Sequence, residues 1–351
     1  MPITLNANEV YAALNNMILG IHVYADNIYD AYGSILDGAK SDAGLYGDKK
    51  LYIATDTLFS SDWLNDAEAA NLLALDRGPA PDTQVLEINV FRKVWVTTDS
   101  YMSKRAFAEE GTFQQFNSVV LSWIQTTKRT YEKRTYNAFI GTDETNTGNQ
   151  QQTVTFTTVT DPEGAARMQA MEIMQKIADI IDDVQDENRL YNDLEFFRSY
   201  AEGDLRVVWS SEWLNKIEKR DLPTTFHKDF VEHIGDYKLP SKFFGTINSA
   251  ATAGDNSTVR SLVEQVIGTN HYFPGELILV GDTAPAGTSY TVDGDIICKI
   301  IHKNSVPFLT SFSASTEFFN PRSLTRNNYL IWGHNTLQHL EQYPFITLRA
   351  V

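Results

Sequence analysis

The chain has 351 residues, 42% hydrophobic and 21% charged, a composition that supports one elaborated domain or two. Lys and Arg number 29 against 45 Asp and Glu, and the resulting formal charge of -16 opposes a nucleic-acid binder held by phosphate contacts. The single cysteine, Cys298, excludes a disulfide framework and a zinc site built on thiolates, and no run approaches the ~20 apolar residues of a membrane span. The opening residues MPITLNANEVYAALNN lack the basic and apolar regions of a signal peptide, so the expectation is a protein made and folded in a cytoplasm, with Cys298 a buried free thiol.

In chain order, residues 1–45 read as short amphipathic segments followed by a Gly-rich piece, an arm whose apolar residues need a partner surface because so short a segment makes no core of its own. Residues 50–55 and 85–97 have the β-branched and aromatic content of strands, the second with partial alternation. Between them lies an excursion of roughly thirty residues with a helix start at Ser61 and a turn at Gly78, Pro79 and Pro81; an insertion of that length is usually functional or partner-bound.

Residues 112–140, TFQQFNSVVLSWIQTTKRTYEKRTYNAFI, form the longest helical pattern. Thr112 and Gln115 stand at capping-box spacing and Gly141 follows as a stop. Phe113, Phe116, Val120, Trp123, Thr127 and Tyr131 recur at steps of three and four, predicting one buried stripe. Lys128, Arg129, Glu132, Lys133 and Arg134 cannot all be buried on that reading, which puts the far end along a surface or against another chain.

A polar loop leads to a short strand at 153–159, and then to a second helix capped by Asp161 with Pro162 in its first turn. Met168, Met171, Met174, Ile177, Ile181 and Val184 follow at helical spacing and are expected in the core. The strand LRVVW at 205–209, a capped helix from Ser210, a helix from Ser257 and strands in ELILVG, TSYTV and DIICKIIH complete an α/β alternation. Residues 327–351 are strand-like and end so apolar that the terminus should be tied into a sheet. SSDWLN at 60–65 and SSEWLN at 210–215 are nearly identical, but their flanks diverge, so they are two solutions to capping rather than a repeat.

No catalytic, cofactor-binding or metal-ligating residue is assigned. His227 and His233 flank Asp229 and Glu232 but stand six apart, which puts them on different sides of a helix. Asp182, Asp183 and Asp186 read as a solvated face without a calcium-loop pattern. Asp293, Gly294 and Asp295 read as a hairpin turn, and the sequon Asn256, Ser257, Thr258 would go unused in a cytoplasmic protein. There is no Walker loop, no GxGxxG after a strand and no GxSxG elbow.

This order of arm, excursion, very long helix, α/β segment and returning strand resembles the major capsid proteins of tailed bacteriophages with the Hong Kong 97-type fold, in the compact style of small podophages. Locally, DLRVVWSSEWLNKI at 204–217 looks like the family's strand-then-helix, and NNYLIWGHNTLQHLEQYPFITLR at 327–349 like its closing pair of strands, with the aromatic-Pro step at Tyr343 and Pro344. The resemblance implies an α+β fold with an N-terminal arm (1–45), an extended loop (46–97), a peripheral domain (98–160 and 305–351) carrying the spine helix 112–140, and an axial domain (161–304). It further implies a structural protein, not an enzyme, that self-assembles through pentamers and hexamers into an icosahedral or prolate shell around double-stranded DNA. The partners expected are a portal protein and a separate scaffolding protein, since Met1 opens almost directly into the arm; neither specific nucleic-acid recognition nor a membrane nor a cofactor is expected. The location implied is the virion, with assembly in the host cytoplasm. An encapsulin-type compartment shell is the alternative, disfavoured by chain length and by the size of the excursion at 56–84, and a soluble enzyme stands third.

Overall fold

The computed structural model describes residues 32–351 except 46, 61, 63–74, 76, 100–109, 143–149, 219–234, 250–271, 274–275, 278–287 and 336. Its frame is two five-stranded sheets and two long helices. In the first sheet, β1 (Lys40–Asp42), β12 (Phe308–Asn320), β13 (Thr325–Asn335), β3 (Asp82–Asp99) and β2 (Lys49–Ala54) lie side by side in that order. All neighbours are antiparallel except β1 and β12. In the second, the order is β4 (Gln151–Val154), β14 (Phe345–Ala350), β11 (Ile296–His302), β5 (Leu205–Ser210) and β6 (Gly235–Leu239), with both outer strands parallel to their neighbours. Two smaller pairs join β7 (Gly245–Ser249) to β10 (Thr288–Val292) and β8 (Tyr272–Phe273) to β9 (Glu276–Leu277).

The excursion is a hairpin as expected: β2 and β3 pair from Lys49 opposite Glu87 to Ala54 opposite Asp82, with 55–81 between them. β3 then runs on far beyond β2, and from Ile88 to Asp99 it pairs on its other edge with β13. Its burial alternates along the whole length, even-numbered residues facing in, so one 18-residue strand links the hairpin to the body. β12, FLTSFSASTEFFN, is a strand that went unrecognised in the sequence, as is the short helix α1 (Ser34–Ala39), which buries Ile35 and Leu36. The residues from α1 onward thus pack into the body; residues 1–31 lie outside the described ones, as do the helix start at Ser61 and the helix expected from Ser257.

The long helix α2 is Glu110–Gly141, about 48 Å at 1.5 Å per residue. Its predicted stripe needs correcting. The side chains of Phe113, Phe116 and Val120 lie outside the described ones, Trp123 is 63% exposed, and the deeply buried stretch is the far end, where Tyr131, Glu132, Lys133 and all of 135–142 are buried. Of the charges there Glu132 and Lys133 are buried, while Lys128, Arg129 and Arg134 stay partly exposed, and residues in and beside α1 answer Glu132 and Arg129. Lys40 Nζ lies 2.7 Å from the Glu132 carboxylate, Arg129 grips both carboxylate oxygens of Asp37 at 2.6 and 2.7 Å, and Asn137 donates to the Tyr32 carbonyl at 3.0 Å. Helix α2 ends against the turn Ser241–Phe243, so closely that a Cβ on Gly141 would collide with the Phe243 carbonyl.

Helix α3 (Pro162–Gln185) starts as read, the Asp161 carboxylate accepting from Gly164 N at 2.8 Å with Pro162 at the first position. Its methionine stripe is only partly core. Met168 and Met171 are exposed and Met174 is half-buried, while Ala166, Ala170, Ile173, Ile177, Ile180, Ile181 and Val184 face the second sheet. Small alanines at the first turns let the helix approach the sheet and turn the methionines outward.

The second sheet is covered on both faces, which is why β11 is buried at every position and reads as a continuous apolar run. One face, with Val208, Ile296, Ile301 and Phe345, joins the core around α2; the other, with Val207, Trp209, Cys298, Ile300, Ile346 and Leu348, joins that around α3 and α4 (Ser211–Glu218). Cys298 is the expected buried thiol. Lys299 is wholly buried too, its ammonium donating to the Thr142 carbonyl beyond the end of α2 at 2.8 Å and to Thr347 Oγ1 at 2.7 Å, a cation where the helix dipole is negative. β4 covers 151–154 rather than 153–159. The apolar terminus is tied in as expected, but β13 and β14 are not a pair, since they belong to different sheets.

Candidate assembly surface

Three strands build the outer part of the first sheet: the far half of β3, β13 and β12. Directly opposed residues of antiparallel strands share a face, so the register defines two sides. On one side Val94, Val96, Leu330 and Trp332 pack under α2. Tyr131 of the helix meets Trp332 edge to face at 5.7 Å, and the Arg92 guanidinium lies 4.8 Å from the Tyr131 ring centre.

The opposite side carries Phe91, Phe312, Trp95 and Phe318, and nothing among the described residues covers it. Trp95 is 62% and Phe318 61% exposed. Phe91 and Phe312 reach across the intervening strand to bring their ring centres to 6.1 Å, over Gly333; a Cβ there would stand 2.7 Å from Phe91 and from Ser311 Oγ. Lys93 lies on the same face, its ammonium 5.4 Å from the Trp95 ring and 5.9 Å from Tyr329. A second exposed apolar group lies on the outward side of the hairpin, Val85 with its partner Leu51 on β2 and then Ile53, followed by Leu58 and Phe59. Glu87, paired with Lys49 at 3.2 Å, and Asn89 separate the hairpin group from the aromatic group, and exposed apolar patches of this kind mark surfaces that another protein covers. In the sequence the signal for β12 lay in Phe312, Ala314, Thr316 and Phe318 at steps of two, and only pairing with β13 brings them beside Trp95.

The residues considered for chemistry do not converge. His227, Asp229, Glu232, His233 and the sequon 256–258 lie outside the described residues. Asp182, Asp183 and Asp186 are exposed at the end of α3, where Tyr191 donates to the Asp183 carboxylate at 3.1 Å and Asn188 to backbone carbonyls. Asp293, Gly294 and Asp295 turn the chain, but not as a hairpin: β10 before them pairs with β7, and β11 after them sits in the second sheet. Asp293 instead accepts from Arg349, and the Gly294 carbonyl from the Trp213 indole at 2.8 Å.

A cavity of about 470 Å³ lies beside β11, lined by Arg198, Tyr200, Asp204, His302, Lys303 and Tyr343 among others. Lys303 donates to Asp204 at 2.5 Å and holds that carboxyl below its usual range, while burial pushes His302, stacked flat on Tyr343 at 4.3 Å, down to about 4. Burial likewise raises the Tyr200 phenol, whose hydroxyl donates to the Gln342 carbonyl. Among the described residues no group of three or more His, Cys, Asp or Glu is placed to hold a metal.

The fold matches solved phage capsids. A chain of the capsid of Staphylococcus phage Andhra has a TM-score of 0.64 at 12% identity, covering 92% of this chain and 86% of that one. A chain in the structure of the head fiber and inner core protein gp22 of native bacteriophage P68 gives 0.57 at 12% identity over 88% and 82%, and one from the mature capsid of bacteriophage PhiM1 gives 0.50 at 10% over 94% and 90%. At such identities the likeness speaks for the fold, and it bears out the Hong Kong 97-type α+β expectation at that level. No curated protein matches the chain. The model of the Phi29-like phage major capsid protein family matches residues 3–342, nearly the whole length, and the chain therefore belongs to that family of virion shell proteins.

Proposed function

We propose that this capsid subunit builds a closed icosahedral or prolate shell around double-stranded DNA from pentameric and hexameric rings, and that it has no catalytic role. The observation that carries this reading is a pair of exposed apolar patches that no described residue covers, Leu51, Ile53 and Val85 on the hairpin and Phe91, Trp95, Phe312 and Phe318 on the sheet. A surface so apolar needs cover, and in a closed assembly neighbouring copies supply it equally to every subunit. The charge of -16 supports the same reading from the other side, because a shell wall with few cationic contacts lets packaged DNA slide.

In this reading residues 1–45 act as an arm, 46–97 as the extended loop, 98–160 with 305–351 as the peripheral domain on its spine helix, and 161–304 as the axial domain. The two cores, one around α2 and one around α3, are each shared between these ranges: the first takes in Val208, Leu239, Phe243 and Ile301, and the second Val154, Ile346 and Leu348. Family membership supports two further partners, a separate scaffolding protein and a portal, and assembly in the host cytoplasm.

The test is assembly of Trp95→Ser/Phe318→Ser, with any scaffold supplied, followed by negative-stain imaging. The variant should melt like the parent and fail to form shells. Normal shells from this variant would overturn the assignment of the sheet patch, and a parent that stays monomeric under every condition would overturn the shell reading itself.

A further inference from the structure

The loop 188–198 is braced far beyond what a connection needs. Its ends are bridged by backbone hydrogen bonds between Asn188 and Arg198, and the Asn192 side chain both donates to the Phe196 carbonyl and accepts from the Phe196 amide, each at 2.8 Å. Arg189 donates to the Glu195 carbonyl at 2.8 Å, and Glu195 is held at φ 53, a left-handed conformation that a non-glycine residue keeps only when its surroundings over-determine it. On the inner side the Asp193 carboxylate meets His339 Nε2 at 2.7 Å and Gln150 at 3.1 Å.

The outer side of this loop grips the chain where the excursion departs. Asp56, its side chain only 9% exposed, accepts from the Phe197 amide at 2.9 Å and the Thr57 amide at 2.8 Å, and its second oxygen lies 2.7 Å from Arg189. Arg198 donates to the Thr55 carbonyl at 2.5 Å. The returning strand is held by a separate bond set, Gln84 donating to the His339 carbonyl at 2.8 Å and accepting from the Glu341 amide at 3.1 Å. The crevice between these parts, lined by Tyr52, Ala54, Gln84, Leu194 and Glu341, has about 10 Å³ of space, room for about one water.

We infer that the loop 188–198 is a latch that sets the direction in which the excursion 55–81 leaves the body, with Asp56 as its positioning residue. The hairpin β2–β3 alone does not define that direction, because a two-stranded ribbon attached through one strand can swing about its root. The bonds from Arg189, Phe197 and Arg198 join the outgoing strand at Thr55 and Asp56 to the second-sheet module, so the root of the excursion and that module move as one piece. The consequence for assembly rests on the reading that the excursion meets a neighbouring copy; the latch itself does not.

Asp56→Ala and Arg189→Met, made in the full chain, test it by hydrogen exchange on the unassembled subunit and by shell yield. The amides of Phe197 and of β2 should exchange roughly tenfold faster in both variants, while those of β5 and β11 keep the parent's protection and shells become irregular or absent. Asp56→Asn, which keeps an acceptor for Phe197 but loses the charge, should fall between Asp56→Ala and the parent. Unchanged exchange at Phe197 and β2 in Asp56→Ala would overturn the latch, as would a loss of protection spread evenly over β5 and β11 in all three variants. A parent that never assembles would count against the shell reading alone, since the exchange measurement needs no shell.

Discussion

The Tyr131 hydroxyl, where the buried far end of the long helix begins, lies 2.9 Å from Nε2 of His334, 203 residues away on β13. The other ring nitrogen, Nδ1, lies 2.7 Å from the Asn335 carbonyl, which can only accept, so a singly protonated ring carries its proton on Nδ1 and takes the Tyr131 hydrogen at Nε2. The ring is also stacked on Phe308 of β12 with centres 5.0 Å apart. One histidine thereby sets the depth of the helix on two strands.

Tyr131→Phe keeps the ring against Trp332 and removes only the donor to His334. Because both groups are buried, the change should lower subunit stability by about 1–3 kcal/mol with the fold retained. A urea titration of the unassembled subunit measures it, and an unchanged midpoint would show that the hydrogen bond does not hold the helix in place.

The two halves of the long helix should respond unequally. Phe139→Ala empties a wholly buried site and should cost about 3–5 kcal/mol, whereas Trp123→Ser, at a 63% exposed position, should stay within about 0.5 kcal/mol. Thermal melts of the pair decide it; a large loss from Trp123→Ser alone would mean that the first half of the helix is covered in the free subunit.

Glu132→Gln leaves Lys40 and Lys128 without the carboxylate that both approach, at 2.7 and 3.8 Å. Lys40 keeps partial access to water, so the loss should be about 1–3 kcal/mol, below that of a fully enclosed pair. If the loss arises from the pair, Lys40→Met in the Glu132→Gln background should add less than it does in the parent, a non-additivity read from a double-mutant cycle.

Gly141→Ala should be among the more damaging small changes, about 3 kcal/mol, because the new methyl meets the backbone of Phe243 and not a side chain that can move aside. Gly141→Ala with a parent-like melt would mean that the turn Ser241–Phe243 shifts freely.

Acid should weaken the subunit partly through His302. Its pKa falls from 6.5 when unfolded to about 4 in the fold, mainly by burial, so between those values the unfolded chain binds more protons. The stabilising contribution is therefore whole above about pH 6.5 and is lost as pH falls towards 4. His302→Phe, which preserves the stack on Tyr343, should flatten the pH dependence of the urea midpoint over that window, and an equally steep curve would assign the acid response to other groups.

Much of this protein was legible in its residues. The caps at Asp161 and Pro162, the strand from Leu205 with the helix after it, the hairpin excursion and the tied apolar terminus are local patterns whose physics acts within a few residues, and each is present in the structure. The order of elements was enough to point to the capsid fold. What the residues did not disclose was the choice of face. Glu132 looks like a surface charge until Lys40, 92 positions away, is placed against it, and Met168 and Met171 look like core until Ala166 and Ala170 bring α3 down on its other side. Likewise Phe312 and Phe318 become a surface only when β13 sets them beside Phe91 and Trp95. Periodicity defines a helix or a strand, but burial of a given face depends on what is packed against it, and those partners come from distant parts of the chain.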